Sequence, residues 1–305
     1  MSEPLTLPDV VHDAPAVSPG PVEPGSDAHR VLFCRALLDT FTAYCPSVEG
    51  WPALDAEARA RLAALPIWDM AVSTERRAGA RVRAFAERVA DPLLRQAVAL
   101  NAFEEERHER VLTTLAAAYG ISVAPPPHVP APRDPEWGYL RTGYGECLDT
   151  FFAFGLFDVG RRAGLFPPAL VAAFEPVIEE EGRHIVFFVN WVAWHRRNMP
   201  AWRRPWFALK VALVWLTLLL ERLGLVVGAL RGEQGEATFT ATGARTFDVD
   251  LDAAGFLRLC LAEDARRLGA HDPRLLRPRF MPAVARLACR VLEGLPRRRA
   301  VAPGS

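Results

Sequence analysis

Glu104-Glu105-Glu106-Arg107-His108 and Glu179-Glu180-Glu181-Gly182-Arg183-His184 nearly repeat each other within one chain. Each contains a Glu-x-x-His pair, Glu105/His108 and Glu181/His184. Residues three apart on a helix share a face, so each pair directs one carboxylate and one imidazole at the same point. One such pair is common on any charged helix. Two become informative when both lie on buried seams and each has a matching upstream acid, because those groups together make a two-metal carboxylate site.

A bundle helix buries positions spaced alternately four and three apart. Around the first motif that spacing selects Leu94, Val98, Asn101, Glu105, His108, Leu112 and Leu115; around the second it selects Leu170, Phe174, Val177, Glu181, His184, Phe188 and Trp191. Both Glu-x-x-His pairs therefore interrupt mostly apolar seams. Glu104, Glu106, Glu109, Glu179 and Glu180 fall on other faces and are expected to be solvated. Upstream, the seam through Trp68, Val72, Gly79 and Val82 carries Glu75, and the seam through Tyr139, Gly143 and Thr150 carries Glu146, with Asp149 one turn on. A buried carboxylate costs several kcal/mol unless it is paired or bound to a cation. Six polar groups on four core seams need a shared partner.

Helical periodicity dominates the chain and strand-like alternation is almost absent. The pattern predicts a helix from Ala28 to about Tyr44, then Pro66–Ala90, Pro92–Tyr119 stopped by Gly120, Trp137–Gly164, and Pro168 to about Arg197. Residues 121–136 hold six prolines and no helical pattern. Extended proline-rich chain covers roughly 3 Å per residue, enough to run the length of a ~40 Å helix. A long crossover joins parallel helices, whereas antiparallel neighbours need only short loops. The order is hairpin, crossover, hairpin.

These residues resemble the ferritin-like superfamily of carboxylate-bridged di-iron proteins, and within it the rubrerythrin-type branch, whose two hairpins both carry the motif. The resemblance spans about 65–197. It implies an all-α, ferritin-like four-helix bundle with extra N- and C-terminal helices. It implies Glu75, Glu105, His108, Glu146, Glu181 and His184 as metal ligands, with Glu105 and Glu181 as bridges. The implied cofactor is two Fe, with Mn as an alternative in either position. Asp149 is a candidate alternate ligand, second-layer group or N–H acceptor. The implied activity is reaction with O₂ or peroxide, as an oxidase or oxygenase of an organic substrate, with electrons from an external donor. The alternative is an iron-handling or structural bundle without an organic substrate. Two departures stand out: there is no rubredoxin-like cysteine module, and the last hundred residues have no counterpart in the family.

His195 follows His184 on a similar face and reads either as a satisfied core histidine or as a more distant proton relay. Tyr139 and Tyr144 are close enough in sequence to be redox-active, although packing is the ordinary role of such aromatics. Mixed carboxylate and imidazole donors suit Fe(II) or Mn(II) over zinc.

The remaining organisation follows from composition. Residues 1–27 are rich in proline, glycine and acids and are expected to be disordered; 28–200 form the bundle, 201–296 a helical extension and 297–305 a solvated tail. Residues 231–250 are expected to form a short hairpin around Thr242-Gly243, followed by helices over 252–269 and 274–295. Zero formal charge gives no field favouring nucleic acid. The five scattered cysteines make neither a zinc ribbon nor a disulfide framework. No signal peptide is recognisable, which makes a cytoplasmic address the default.

Residues 206–230 carry only Lys210, Glu221 and Arg222 as charges, behind Trp202, Arg203, Arg204 and Trp206. The uninterrupted apolar run, Val211–Leu220, is half of the ~20 residues a bilayer span needs. A buried helix packed on the bundle or on a homo-oligomer partner, a peripheral membrane contact through 202–230, and a true span are the readings it leaves open. Arg274, Arg277 and Arg279 can hold an anion or, more ordinarily, salt bridges.

Overall fold

A computed structural model describes residues 16, 20–44, 50–65, 67–125, 128–164, 166–230 and 252–294, the side chains of 225–230 excepted. The described residues form nine α-helices and no strand. They are α1 (Asp27–Leu38), α2 (Ala56–Ala63), α3 (Trp68–Ala86), α4 (Pro92–Tyr119), α5 (Pro135–Arg162), α6 (Pro168–Asn198), α7 (Arg204–Leu230), α8 (Ala253–Gly269) and α9 (Phe280–Gly294). The expected hairpin over 231–250, the tail and residues 1–15 lie outside the described residues.

Local chemistry sets the long helices. The Asp91 and Asp134 side chains accept from the backbone N–H groups of Leu94 and Trp137, each with proline at the first helical position. Gly120 closes α4 at φ 70°, the left-handed conformation that a Cβ disfavours. Arg76–Glu109 and Arg83–Glu106 pairs show that α3 and α4 run in opposite directions. Thr150–Glu181 and Glu136–His195 contacts show the same for α5 and α6. Between the hairpins, Ala124 N–H donates to Asp69 at the start of α3. Pro132 then lies beside Gly138, close to Arg81 near the other end of that helix. The crossover thus follows α3, as its proline content and length predict.

Two segments depart from the periodicity. α1 stops at Leu38 instead of continuing to Tyr44, and 39–44 leave the helix. Residues 20–26, assigned by composition to a disordered lead-in, are packed: Val22 lies on the core, and the Ser26 side chain caps α1 by accepting from the His29 N–H. Buried His29 in turn bonds Asn190 of α6 at 2.7 Å, stitching α1 to the bundle.

α7 buries Phe207, Val214 and Leu218 against α5. Its other face exposes Trp206, Leu209, Leu213, Leu216, Leu220 and Leu223. Among the described residues no helix is long and apolar enough to cross a membrane. Arg274 is held by Asp272, and Arg277 donates to backbone carbonyls of its own loop. Those two arginines build a turn.

Close approach of α5 and α6 depends on Gly143, where an added Cβ would overlap the ring of Phe188. Phe188 is itself packed against Tyr139 and Trp191, so it has little room to yield. Gly143→Ala should lower stability by about 1–3 kcal/mol, the usual cost of overpacking, read as a fall in thermal midpoint. An unchanged midpoint would contradict this packing.

Candidate metal centre

Where α3, α4, α5 and α6 meet, the chain gathers two overlapping sets of donors. Glu75, Glu105, His108 and Glu181 offer ligand atoms within 4.8 Å of one another, and so do Glu105, Glu146 and His184. All six residues selected from the seams are therefore in one place, and Glu105 belongs to both sets. Glu181 joins the first set only; its second carboxylate oxygen is 3.5 Å from the Thr150 hydroxyl. Asn101 donates to Glu105 at 3.2 Å, steadying the shared carboxylate.

Both imidazoles present Nδ1 to the centre. His108 Nδ1 is 3.1 Å from Glu181 and 3.6 Å from Glu75, and His184 Nδ1 is 2.8 Å from Glu105. None of these three contacts has hydrogen-bond alignment, so both nitrogens face the centre rather than donate to an oxygen. Glu146 likewise keeps one buried oxygen without a partner. Buried polar atoms left over in this way fit a cation that would bind them all.

The opposite ring nitrogens reveal what seam counting missed. His108 Nε2 is 2.8 Å from Glu180, and His184 Nε2 is 2.8 Å from Glu104. Glu104 and Glu180 are 0 % and 2 % exposed, so the expectation that they are solvated is wrong. Each is also held by an arginine, Arg183 on Glu104 at 2.7 Å and Arg107 on Glu180. The arrangement is reciprocal: the carboxylate of each motif supports the histidine of the other. Segment 39–44 leaves its helix to complete it. Thr40 O accepts from Arg183 at 2.7 Å, Thr42 O accepts from Arg107 at 3.1 Å, and the Tyr44 hydroxyl donates to Glu180 at 3.0 Å. The available signal was the repeat itself, since Glu-Glu-x-Arg-His recurs with all four of these charged positions kept.

Electrostatics follow from burial. Burial raises the Glu75 carboxyl; His108 opposes it while Glu181 and Glu105 add to it, leaving a value of about 8. Burial and the Glu105 and Glu181 charges push Glu146 well above the carboxylate range. Burial would depress His108 and His184, but the surrounding carboxylates win and raise both well above the usual imidazole value. Without a cation the centre therefore retains protons. Two dications would instead balance four inner carboxylates, while Glu104 and Glu180 balance Arg107 and Arg183. The donor set contains no thiolate: burial pushes the neighbouring Cys147 thiol up, holding it protonated.

The two further candidates lie elsewhere. Asp149 turns away from the centre and pairs with Arg222 of α7, with one contact at 3.2 Å, so it is neither an alternate ligand nor a support for one here. His195 stacks on Trp191, 4.9 Å between centroids, and bonds Glu136 near the start of α5 at 2.9 Å. That is a partnered histidine of the packing. Tyr139 is buried between Phe85 and Trp191 with its hydroxyl unpartnered, and Tyr144 packs on Phe188 and Trp215.

No family model matches the chain, and neither a curated protein nor a solved structure matches it.

Two outcomes test the geometry. Supports behind metal-bound histidines typically contribute 10- to 100-fold in metal affinity. Glu180→Gln should weaken metal binding by about that factor with helicity unchanged; unaltered affinity in a metal titration would remove Glu180 from the site. Glu136 is held at about 2, chiefly by its His195 bond, against burial and with help from Lys210. A depressed carboxyl contributes stability that is present above its unfolded value of ~4.3 and is lost as pH falls through its folded value. Glu136→Gln should flatten the fall in unfolding free energy between pH ~4.3 and about 2. Parallel pH curves for both proteins would refute this.

Proposed function

We propose that the chain is a ferritin-like, non-haem di-iron protein that reacts with O₂ or peroxide, as an oxidase or oxygenase. The observation that carries this reading is Glu105, common to two donor sets that each contain one histidine backed by a buried carboxylate. Two helices each giving a Glu, and two each giving Glu-x-x-His, is the pattern of di-iron and di-manganese bundles. The antiparallel hairpins and the crossover along α3 support the same fold.

Glu75, His108 and Glu181 would hold one iron, Glu146 and His184 the other, with Glu105 between them. Carboxylate and imidazole donors without thiolate favour Fe(II) or Mn(II). A reduced pair supplies two electrons to O₂ or peroxide when bound. The protein's own part is orientation and proton placement. Glu104 and Glu180 fix both imidazoles with Nδ1 inward and raise their basicity. Arg107 and Arg183 pair with those two carboxylates and supply their countercharges. Phe188, Trp191 and Phe85 close the neighbouring interior to water, which strengthens every charge interaction there. No rubredoxin-like module accompanies the bundle, so electrons come from a separate donor.

Purified protein should contain two irons per chain and, after anaerobic reduction, consume O₂ with a change in its absorption spectrum. Glu105→Ala should lose both metals and that consumption together. Iron taken up far beyond two per chain would instead indicate storage. Stoichiometric metal with no O₂ consumption would indicate a structural staple. Full iron loading in Glu105→Ala would sink the assignment itself.

A further inference from the structure

We infer that the outer faces of α7 and α9 form one docking surface for an anionic lipid membrane, on which the protein lies without crossing it. α7 turns an apolar stripe to solvent from Trp206 to Leu223, spaced alternately three and four. α9 does the same with Phe280, Val284, Leu287 and Val291, while burying Met281, Ala285 and Cys289 on α8's side. The two helices meet where the Trp215 ring touches Phe280, 4.6 Å between centroids. Exposed apolar area spread over two adjoining helices exceeds the isolated leucines of an ordinary surface and marks an interaction site.

The rim of this face decides what covers it. Trp202 and Trp206, at the leading end of α7, are 71 % and 68 % exposed. Tryptophan favours the boundary between lipid headgroups and hydrocarbon, where its ring is buried and its N–H stays wet. Between them, Arg203 lies 5.9 Å over the Trp202 ring and Arg204 donates to the Arg197 carbonyl; neither meets a carboxylate among the described residues. Exposed Arg279 precedes α9 and exposed Arg290 lies within it beside Leu287 and Val291, also without an acidic partner among the described residues. The acids of these two helices are already neutralised, Glu221 by Arg141 and Glu293 by Arg258. The face is therefore apolar at its centre and cationic at its edge. Anionic headgroups complement that pattern. A second copy of the chain matches it less well, since a two-fold contact sets the same patch against itself and adds no negative charge to its cationic edge.

Flotation of the full, metal-loaded chain tests this with vesicles of phosphatidylcholine alone and of phosphatidylcholine containing about a third phosphatidylglycerol. Binding should require the anionic lipid and weaken with salt. Arg203→Ala with Arg204→Ala should reduce it about 30-fold, the loss expected from two surface charges. Leu216→Glu with Leu220→Glu should abolish it, metal content and helicity serving as controls for folding. Should that pair misfold, Trp202→Ala with Trp206→Ala alters only exposed rings and should lower binding at least about tenfold. Absence of flotation, equal binding to both vesicle types, or binding unchanged in correctly folded variants would overturn the proposal. So would a stable dimer by light scattering that the leucine variant dissolves and that does not bind vesicles.

Discussion

Six carboxylates lie together where four helices meet, and the rest of the structure answers to that concentration of charge. Ionised groups removed from water cost several kcal/mol each unless countercharges and hydrogen bonds replace the solvent. The chain solves half of this by itself. Glu104 and Glu180 each receive an arginine and an imidazole, so the outer layer closes on its own residues. The inner layer has no arginine among the described residues: Glu75, Glu105, Glu146 and Glu181 face one another around two imidazoles. One layer is a finished ion-pair network, and the other is a set of donors.

The outer layer explains features that otherwise look arbitrary. Arg107 and Arg183 are buried, and each carries more donors than one glutamate can accept. Segment 39–44 supplies the missing acceptors as backbone carbonyls, which a helix continuing through Thr40 and Thr42 would have kept for its own ladder. Tyr44 and Phe41 then cover the Arg107 plane at 4.1 and 5.1 Å. The early end of α1 is thus a consequence of charge satisfaction three and five helices away in sequence.

The inner six residues were legible because helical seams have a fixed spacing and each polar interruption stood out against leucine, valine and phenylalanine. Helix ends were legible too, from Asp-Pro starts and Gly120. Glu104 and Glu180 were not, because seam counting gives every helix one buried face. α4 and α6 each have two: one toward the bundle interior, the other beneath α1 and segment 39–44. Of the three readings open for Asp149, the structure favours the N–H acceptor over the two that place it at the centre. Three positions beyond Glu146, it rotates toward α7, whose Arg222 could not be placed beside it from spacing alone. The half-buried state of α7 was hidden for a related reason, since a helix apolar all round has no periodicity to reveal which side is covered.

Proton content ties the centre to the stability of the fold. Glu75 at about 8 and the raised Glu146 show that a metal-free interior keeps protons that solvent-exposed carboxyls would release. Raised imidazole values mean the same for His108 and His184. A dication entering the inner layer would displace those protons and take over their role of separating like charges. Metal binding and folding would then be one equilibrium, because the unfolded chain presents no assembled site. The finished outer layer would set the terms of that exchange, because it holds both Nδ1 atoms facing the inner layer whether protons or metal lie there.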